Sequence, residues 1–199
     1  MAWYQAVGQP AKPPVVISKE PEFVFGYTAP DRPVSLEKPG LYILGILAFE
    51  QPYTTGCTVS NATIIDTLNP VNQARYYVVF KTNGNSVVSV SNMGGSNSYY
   101  TYARFELGAY ENVTRIYNNI TNTASATVTY KYTGSETCLI YSDSKYGSTS
   151  GRNADYSFHN DSWATPNICV GPSGVEGWAT ANSTQSAVTF ASVVGYELS

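Results

Sequence analysis

Residues 74–91 read Ala-Arg-Tyr-Tyr-Val-Val-Phe-Lys-Thr-Asn-Gly-Asn-Ser-Val-Val-Ser-Val-Ser. Two runs of β-branched and aromatic residues flank Asn83-Gly84, and both residues of that pair tolerate the positive φ that a tight turn requires. The pattern predicts a β-hairpin. With Asn83-Gly84 as the turn, Val79 faces Val88 and Tyr77 faces Val90 on one side, while Phe80 faces Val87 and Val78 faces Ser89 on the other. One side is then wholly apolar and the other mixed, as in a sheet with one face in a core.

The same periodicity extends outward. Leu41 to Phe49 is apolar on both faces, which marks a central strand covered from both sides. Thr123 to Tyr132 alternates cleanly, with Ala124, Ala126, Val128, Tyr130 and Tyr132 on one face. Ser186 to Leu198 puts Val188, Phe190, Val194, Tyr196 and Leu198 on one face. Cys57 to Ile65, Tyr99 to Leu107, Val113 to Tyr117, Cys138 to Tyr141, Ile168 to Val170 and Val175 to Thr180 read as further strands. Short strands separated by turn residues predict an all-β fold, an antiparallel β-sandwich of jelly-roll-like layout, over residues 34–199. From Ser142 to Asn167 the alternation stops, and this polar, glycine-containing stretch is expected to be a long loop.

Residues 1–33 differ in composition. Prolines at 10, 13, 14, 21, 30 and 33 disfavour both helix and inner strands. The expectation is an extended N-terminal arm lying on another surface, with a short strand over Glu22 to Tyr27 in which Phe23, Phe25 and Tyr27 point one way. Trp3, Tyr4, Phe23 and Phe25 are its candidate assembly anchors. The opening residues lack a basic start followed by an apolar run and are not read as a signal peptide.

Composition narrows the chemistry. Charged residues make up 13 % of the 199 residues, about half the usual share, and tyrosine is in excess at 17. A net charge of −3 with scattered Lys and Arg predicts neither a nucleic-acid nor an anionic-lipid partner. No apolar run is long enough to span a bilayer as a helix. Cys57, Cys138 and Cys169 are an odd number at wide spacings, without a Cys-x-x-Cys pair, and are expected to be reduced and buried. The five Asn-x-Ser/Thr sequons carry little weight in a chain so rich in these residues.

No catalytic, cofactor or metal signature stands out. His159, the single histidine, lies between Asp155 and Asp161 and near Ser157 and Ser162, but no Gly-x-Ser-x-Gly elbow accompanies it. The expectation is a solvated loop histidine in a protein that is not an enzyme and carries no cofactor. Asp143, Asp155 and Asp161 offer hard oxygen ligands, yet their spacing matches no calcium loop, so no metal is expected. Tyr141, Tyr146, Tyr156, Phe158 and Trp163, on or beside the 142–167 stretch, have flat faces suited to sugar rings. Tyr146, Tyr156, His159 and Trp163 are therefore the candidate contacts for a cell-surface glycan. The alternative is that these aromatics pin the loop to the sandwich or bury against a neighbouring subunit.

Three features of layout come together: a proline-rich arm, a β-domain rich in Tyr, Ser, Thr and Asn, and a closing strand, Val188-Thr-Phe-Ala-Ser-Val-Val-Gly-Tyr-Glu-Leu198. In these the chain resembles virion surface proteins of tailed bacteriophages: capsid decoration or cement proteins, head fibres and tail-tip receptor-binding modules. The resemblance is one of composition and layout over the whole chain and transfers no functional residue. It implies a structural protein of the virion, homo-oligomeric with a trimer favoured, whose arm docks on other capsid or tail proteins. The competing function is carbohydrate or receptor binding.

Overall fold

The computed structural model describes residues 16–28, 33–48, 56–69, 75–91, 98–121, 123, 125–160, 165–182 and 190–199. These form strands and turns, with no helix among the described residues. The first half of the chain contributes β1 (Glu22–Thr28), β2 (Val34–Leu36), β3 (Gly40–Ala48), β4 (Gly56–Val59), β5 (Ala62–Leu68), β6 (Arg75–Thr82), β7 (Ser86–Ser91) and β8 (Ser98–Phe105). The second half contributes β9 (Val113–Thr121), β10 (Thr127–Lys131), β11 (Thr137–Lys145), β12 (Gly147–Arg152), β13 (Tyr156–His159), β14 (Asn167–Gly171), β15 (Glu176–Ala181) and β16 (Phe190–Leu198).

Each half builds one five-stranded and one three-stranded sheet, all pairings antiparallel. In the first half the order is β1-β8-β3-β6-β5, with β2-β7-β4 as a cover. In the second it is β13-β14-β11-β16-β9, with β10-β15-β12 as a cover. The side chains show how these stack. Tyr42, Leu44, Val78 and Phe80 pack against Val34, Leu36 and Val88 of the first cover. From the opposite face of the same sheet, Leu41, Ile43, Tyr77, Val79 and Phe105 meet Leu139, Tyr141, Ile168, Val194 and Tyr196 of the second five-stranded sheet. That sheet turns Cys138, Ile140, Cys169 and Val193 to Val128, Ala179 and Ala181 of the second cover. The result is cover, sheet, sheet, cover, with three apolar interlayers.

This layering explains the apolar run predicted from Leu41 to Phe49, of which Leu41 to Leu47 are buried. Both faces are buried, and each buried Leu, Ile or Val contributes roughly 1.5–3 kcal/mol. The all-β sandwich expectation holds, with the covers adding a layer on each side.

The predicted hairpin does not form. β6 and β7 lie in different sheets. Val79 pairs with Ile43 and Asp66, and Val88 pairs with Val34 and Val59. Because β6 is buried on both faces, it takes β3 and β5 as neighbours and sends the chain around a corner into the cover. Gly84 (φ 104°) and Asn85 (φ 52°) make that corner. A Cβ on Gly84 would lie 2.6 Å from the Glu37 carbonyl oxygen, and the Asn85 N–H donates to that same oxygen at 3.2 Å. The turns at 37–39 and 60–61 make parallel corners. Stacking holds all three together: the Ser60 N–H donates to Val87 O at 3.0 Å, and Thr82 Oγ1 donates to Asn61 O at 2.9 Å.

Two further expectations are corrected. The 142–167 stretch is largely ladder: β11 continues to Lys145, and β12 and β13 follow. Its alternation is hidden because Ser142, Asp143, Ser144 and Lys145 are buried despite being polar. The strand expected over Glu22 to Tyr27 is present as β1, but it lies on this chain's own body rather than on another surface. β1 is the edge strand of the first five-stranded sheet, fully paired with β8. Half-buried Phe23 and Phe25 pack into its cores, so these two proposed anchors belong to the body.

Candidate functional site

The most unusual chemistry lies where the two five-stranded sheets meet. Arg75 opens β6, Asp143 sits in β11, and each is 0 % exposed. Arg75 Nη2 forms an ion pair with Asp143 Oδ2. The guanidinium carbon lies 5.0, 5.7 and 5.1 Å from the ring centroids of Tyr77, Tyr99 and Tyr141, within cation–π range. Tyr99 OH donates to Asp143 Oδ1 at 3.2 Å, Tyr141 OH donates to Thr101 O at 3.4 Å, and Tyr77 OH shares a 2.7 Å hydrogen bond with Ser192 Oγ.

Burial alone would lower the Arg75 pKa, but the three tyrosine oxygens outweigh it and hold it above its ordinary value. Burial pushes the Tyr99 and Tyr141 phenols up. At neutral pH the cage therefore holds the Arg75 cation beside the neutral Tyr99 and Tyr141 phenols, closed off from solvent. Its chemistry is structural: it ties one sheet to the other at a fixed register.

The three described glycan candidates, Tyr146, Tyr156 and His159, do not gather at one place. Tyr146 is an exposed residue at φ 59° in the turn between β11 and β12, with the Lys145 ammonium 5.4 Å from its ring centroid. His159 ends β13 at the same pole, exposed, with its Nδ1 3.5 Å from Asn167 Nδ2. Tyr156 begins β13 at the opposite pole. Its partner Val170 pairs with Leu139, so the length of β11 from Leu139 to Lys145, roughly 20 Å at about 3.3 Å per residue, separates it from Tyr146. Trp163, Trp3 and Tyr4 lie outside the described residues.

The acidic candidates separate as well. Asp143 is buried in its ion pair, Asp155 is exposed just ahead of β13, and Asp161 is not among the described residues. Among the described residues, no group of three or more His, Cys, Asp or Glu gathers around a common point. Cys57, Cys138 and Cys169 are free thiols, the last two buried and Cys57 partly so.

At the N-terminal side, Glu22 receives Lys38 Nζ at 2.8 Å and Arg104 Nη1 at 2.9 Å. The Lys38 hydrogen bond is the main reason its carboxyl is held below the ordinary glutamate value. Ahead of β1 the chain follows the 106–110 turn. The Ser18 N–H donates to Glu106 Oε2 at 3.1 Å, and the Lys19 ammonium lies 5.1 Å from the Tyr110 ring centroid. Val16 and Ile17 are left 89 % and 42 % exposed.

One surface escaped the sequence reading: the outward face of the second cover, centred on Trp178. The signal was available in β15, where Glu176, Trp178 and Thr180 alternate with Gly177, Ala179 and Ala181. The small residues face the core, which turns the tryptophan outward.

Compared with protein-family models, with curated proteins and with solved structures, the chain matches none.

Proposed function

We propose that this chain is a non-enzymatic structural subunit of a virion surface, a capsid decoration or appendage protein held through the segment ahead of β1. The observation that carries the reading is the exposed Val16-Ile17 pair leading into a firmly seated edge strand. Exposed apolar residues beside a rigid body offer a handle to a partner. Among the described residues no strand pairs with the outer edge of β1, which leaves backbone to which a partner strand can bond. The low overall charge and the layout of the sequence support the virion setting, and a homo-oligomer, with a trimer favoured, is the arrangement the resemblance implies.

The test is a deletion of residues 1–21 that leaves β1 in place. Incorporation into virions is expected to fall to background while the thermal midpoint of the body stays close to that of the intact chain. Incorporation at the intact level would refute the role of this segment. Light scattering on the purified intact chain reads the oligomeric state directly.

A further inference from the structure

We propose that the outward face of the second cover sheet binds pyranose rings of a polysaccharide, with Trp178 as the stacking platform. The inference goes beyond the assembly reading and stands on different residues. The cover sheet lies so close to β11 that a Cβ on Gly177 would sit 2.5 Å from Ile140 Cγ2. Gly177 has no room for a side chain, and Ala179 and Ala181 fill the other inward positions of β15, so its one bulky aromatic stands on the outer side. Trp178 belongs to none of the three cores.

The ring is held in place before any ligand arrives. The Arg152 guanidinium carbon lies 5.0 Å from its centroid, clamping one face. Beside it runs a cleft of about 430 Å³ lined by Thr129, Tyr130, Lys131, Glu176, Gly177 and Trp178. That volume falls within the range of small-ligand clefts.

The polar groups around the ring match a sugar. A pyranose presents an apolar C–H face to an aromatic plane and hydroxyls around its rim. Strand register places Thr129 and Ser150 on either side of Trp178. Ser148 Oγ and Thr180 Oγ1, 2.7 Å apart, continue the hydroxyl row. On the other side Lys131 Nζ and Glu176 Oε1 form a partly exposed pair at 3.1 Å. Solvent-exposed pairs are weak, so exchanging this one for sugar hydroxyls costs little. A stacked nucleobase would bring phosphates toward Glu176 on a chain of net charge −3, which disfavours a nucleic acid.

The test is binding of the full chain to an array of printed neutral hexose and hexuronate oligosaccharides, followed by calorimetric titration with a retained one. Trp178→Ala is expected to weaken binding by at least about tenfold, with Trp178→Tyr restoring most of it. If Trp178→Ala fails to fold, the double variant Thr129→Val/Glu176→Gln is read the same way. Retention of no saccharide, retention unchanged in the variant read, or Trp178-dependent capture of oligothymidylate would each overturn the proposal. So would light scattering in which an oligomer of the intact chain falls to a monomer in Trp178→Ala, since a second copy would then cover this face.

Discussion

Arg75 and Asp143, from different halves of the chain, meet in the middle of the molecule with neither side chain exposed to solvent. Removing either partner leaves a lone charge among three tyrosine rings. Arg75→Met or Asp143→Leu alone is expected to cost roughly 3–5 kcal/mol, whereas the two together should recover most of that loss, because an apolar pair leaves nothing buried without a counter-charge. Urea denaturation of the two single variants and the double variant measures both terms. Single variants within about 1 kcal/mol of the parent would show that the cage does not hold the sheets together.

The thiols give a prediction about reactivity. Burial pushes Cys57 and Cys138 up to about 12 and Cys169 up to about 11. Thiolate is the reactive form, so the folded chain should resist iodoacetamide at neutral pH and take up three labels once denatured. Cys57, only partly buried, should be the first to label as the chain is destabilised. Mass spectrometry of a labelling time course reads both results.

Acid should loosen the first edge strand. The Glu22 carboxyl is held below its ordinary value of 4.5, chiefly by the Lys38 hydrogen bond, so its ionised form is favoured in the folded state. A lowered carboxyl contributes stability at pH values above its unfolded value and loses that contribution as pH falls through the folded one. Glu22→Gln should therefore lower the thermal midpoint slightly at neutral pH. The gap to the parent should narrow as the pH falls below the ordinary glutamate value and through the lower folded-state one. A gap that is constant with pH would mean that the Lys38–Glu22–Arg104 contacts contribute nothing through charge.

The corner at residues 83–85 predicts an asymmetry between neighbours. Gly84→Ala forces a side chain into φ 104° and against the Glu37 carbonyl, at a cost of roughly 1–3 kcal/mol. Asn85→Gly keeps the N–H that donates to Glu37 and relieves a positive φ, so it should be close to neutral. Thermal unfolding of the two variants distinguishes them. A Gly84→Ala midpoint equal to the parent's would mean that the corner tolerates a Cβ at Gly84.

Much of the fold was legible because burial repeats at the period of a strand. The two-faced apolar run of β3 pointed to a doubly covered sheet, and β10, β15 and β16 appeared near their observed places. The corner was not legible, because Asn83-Gly84 suits both a reversal and a right-angled passage between sheets. What decides between them is whether β6 can accept a cover strand as its in-plane neighbour, and its second apolar face already commits it to β3 and β5. β11 was cut short at Tyr141 because Ser142, Asp143, Ser144 and Lys145 look like solvent-facing residues. The burial of Asp143 depends on Arg75, far away in sequence, and that of Ser144 on the Thr180 carbonyl of the second cover. Trp178 was visible only as a strand residue. Its outward orientation follows from the small inward residues beside it, a cue that needs the facing sheet to be understood.

Among the described residues, every backbone ladder joins strands of the same half, β1–β8 or β9–β16, and none crosses residues 106–112. During synthesis the leading half can therefore complete its strand pairing before the trailing half has left the ribosome. Until then its broad tyrosine-bearing face, with an uncompensated guanidinium at the centre, stands open to water. The arrival of one aspartate closes it, making assembly of the two halves a matching of charge and shape rather than a continuation of hydrogen bonding.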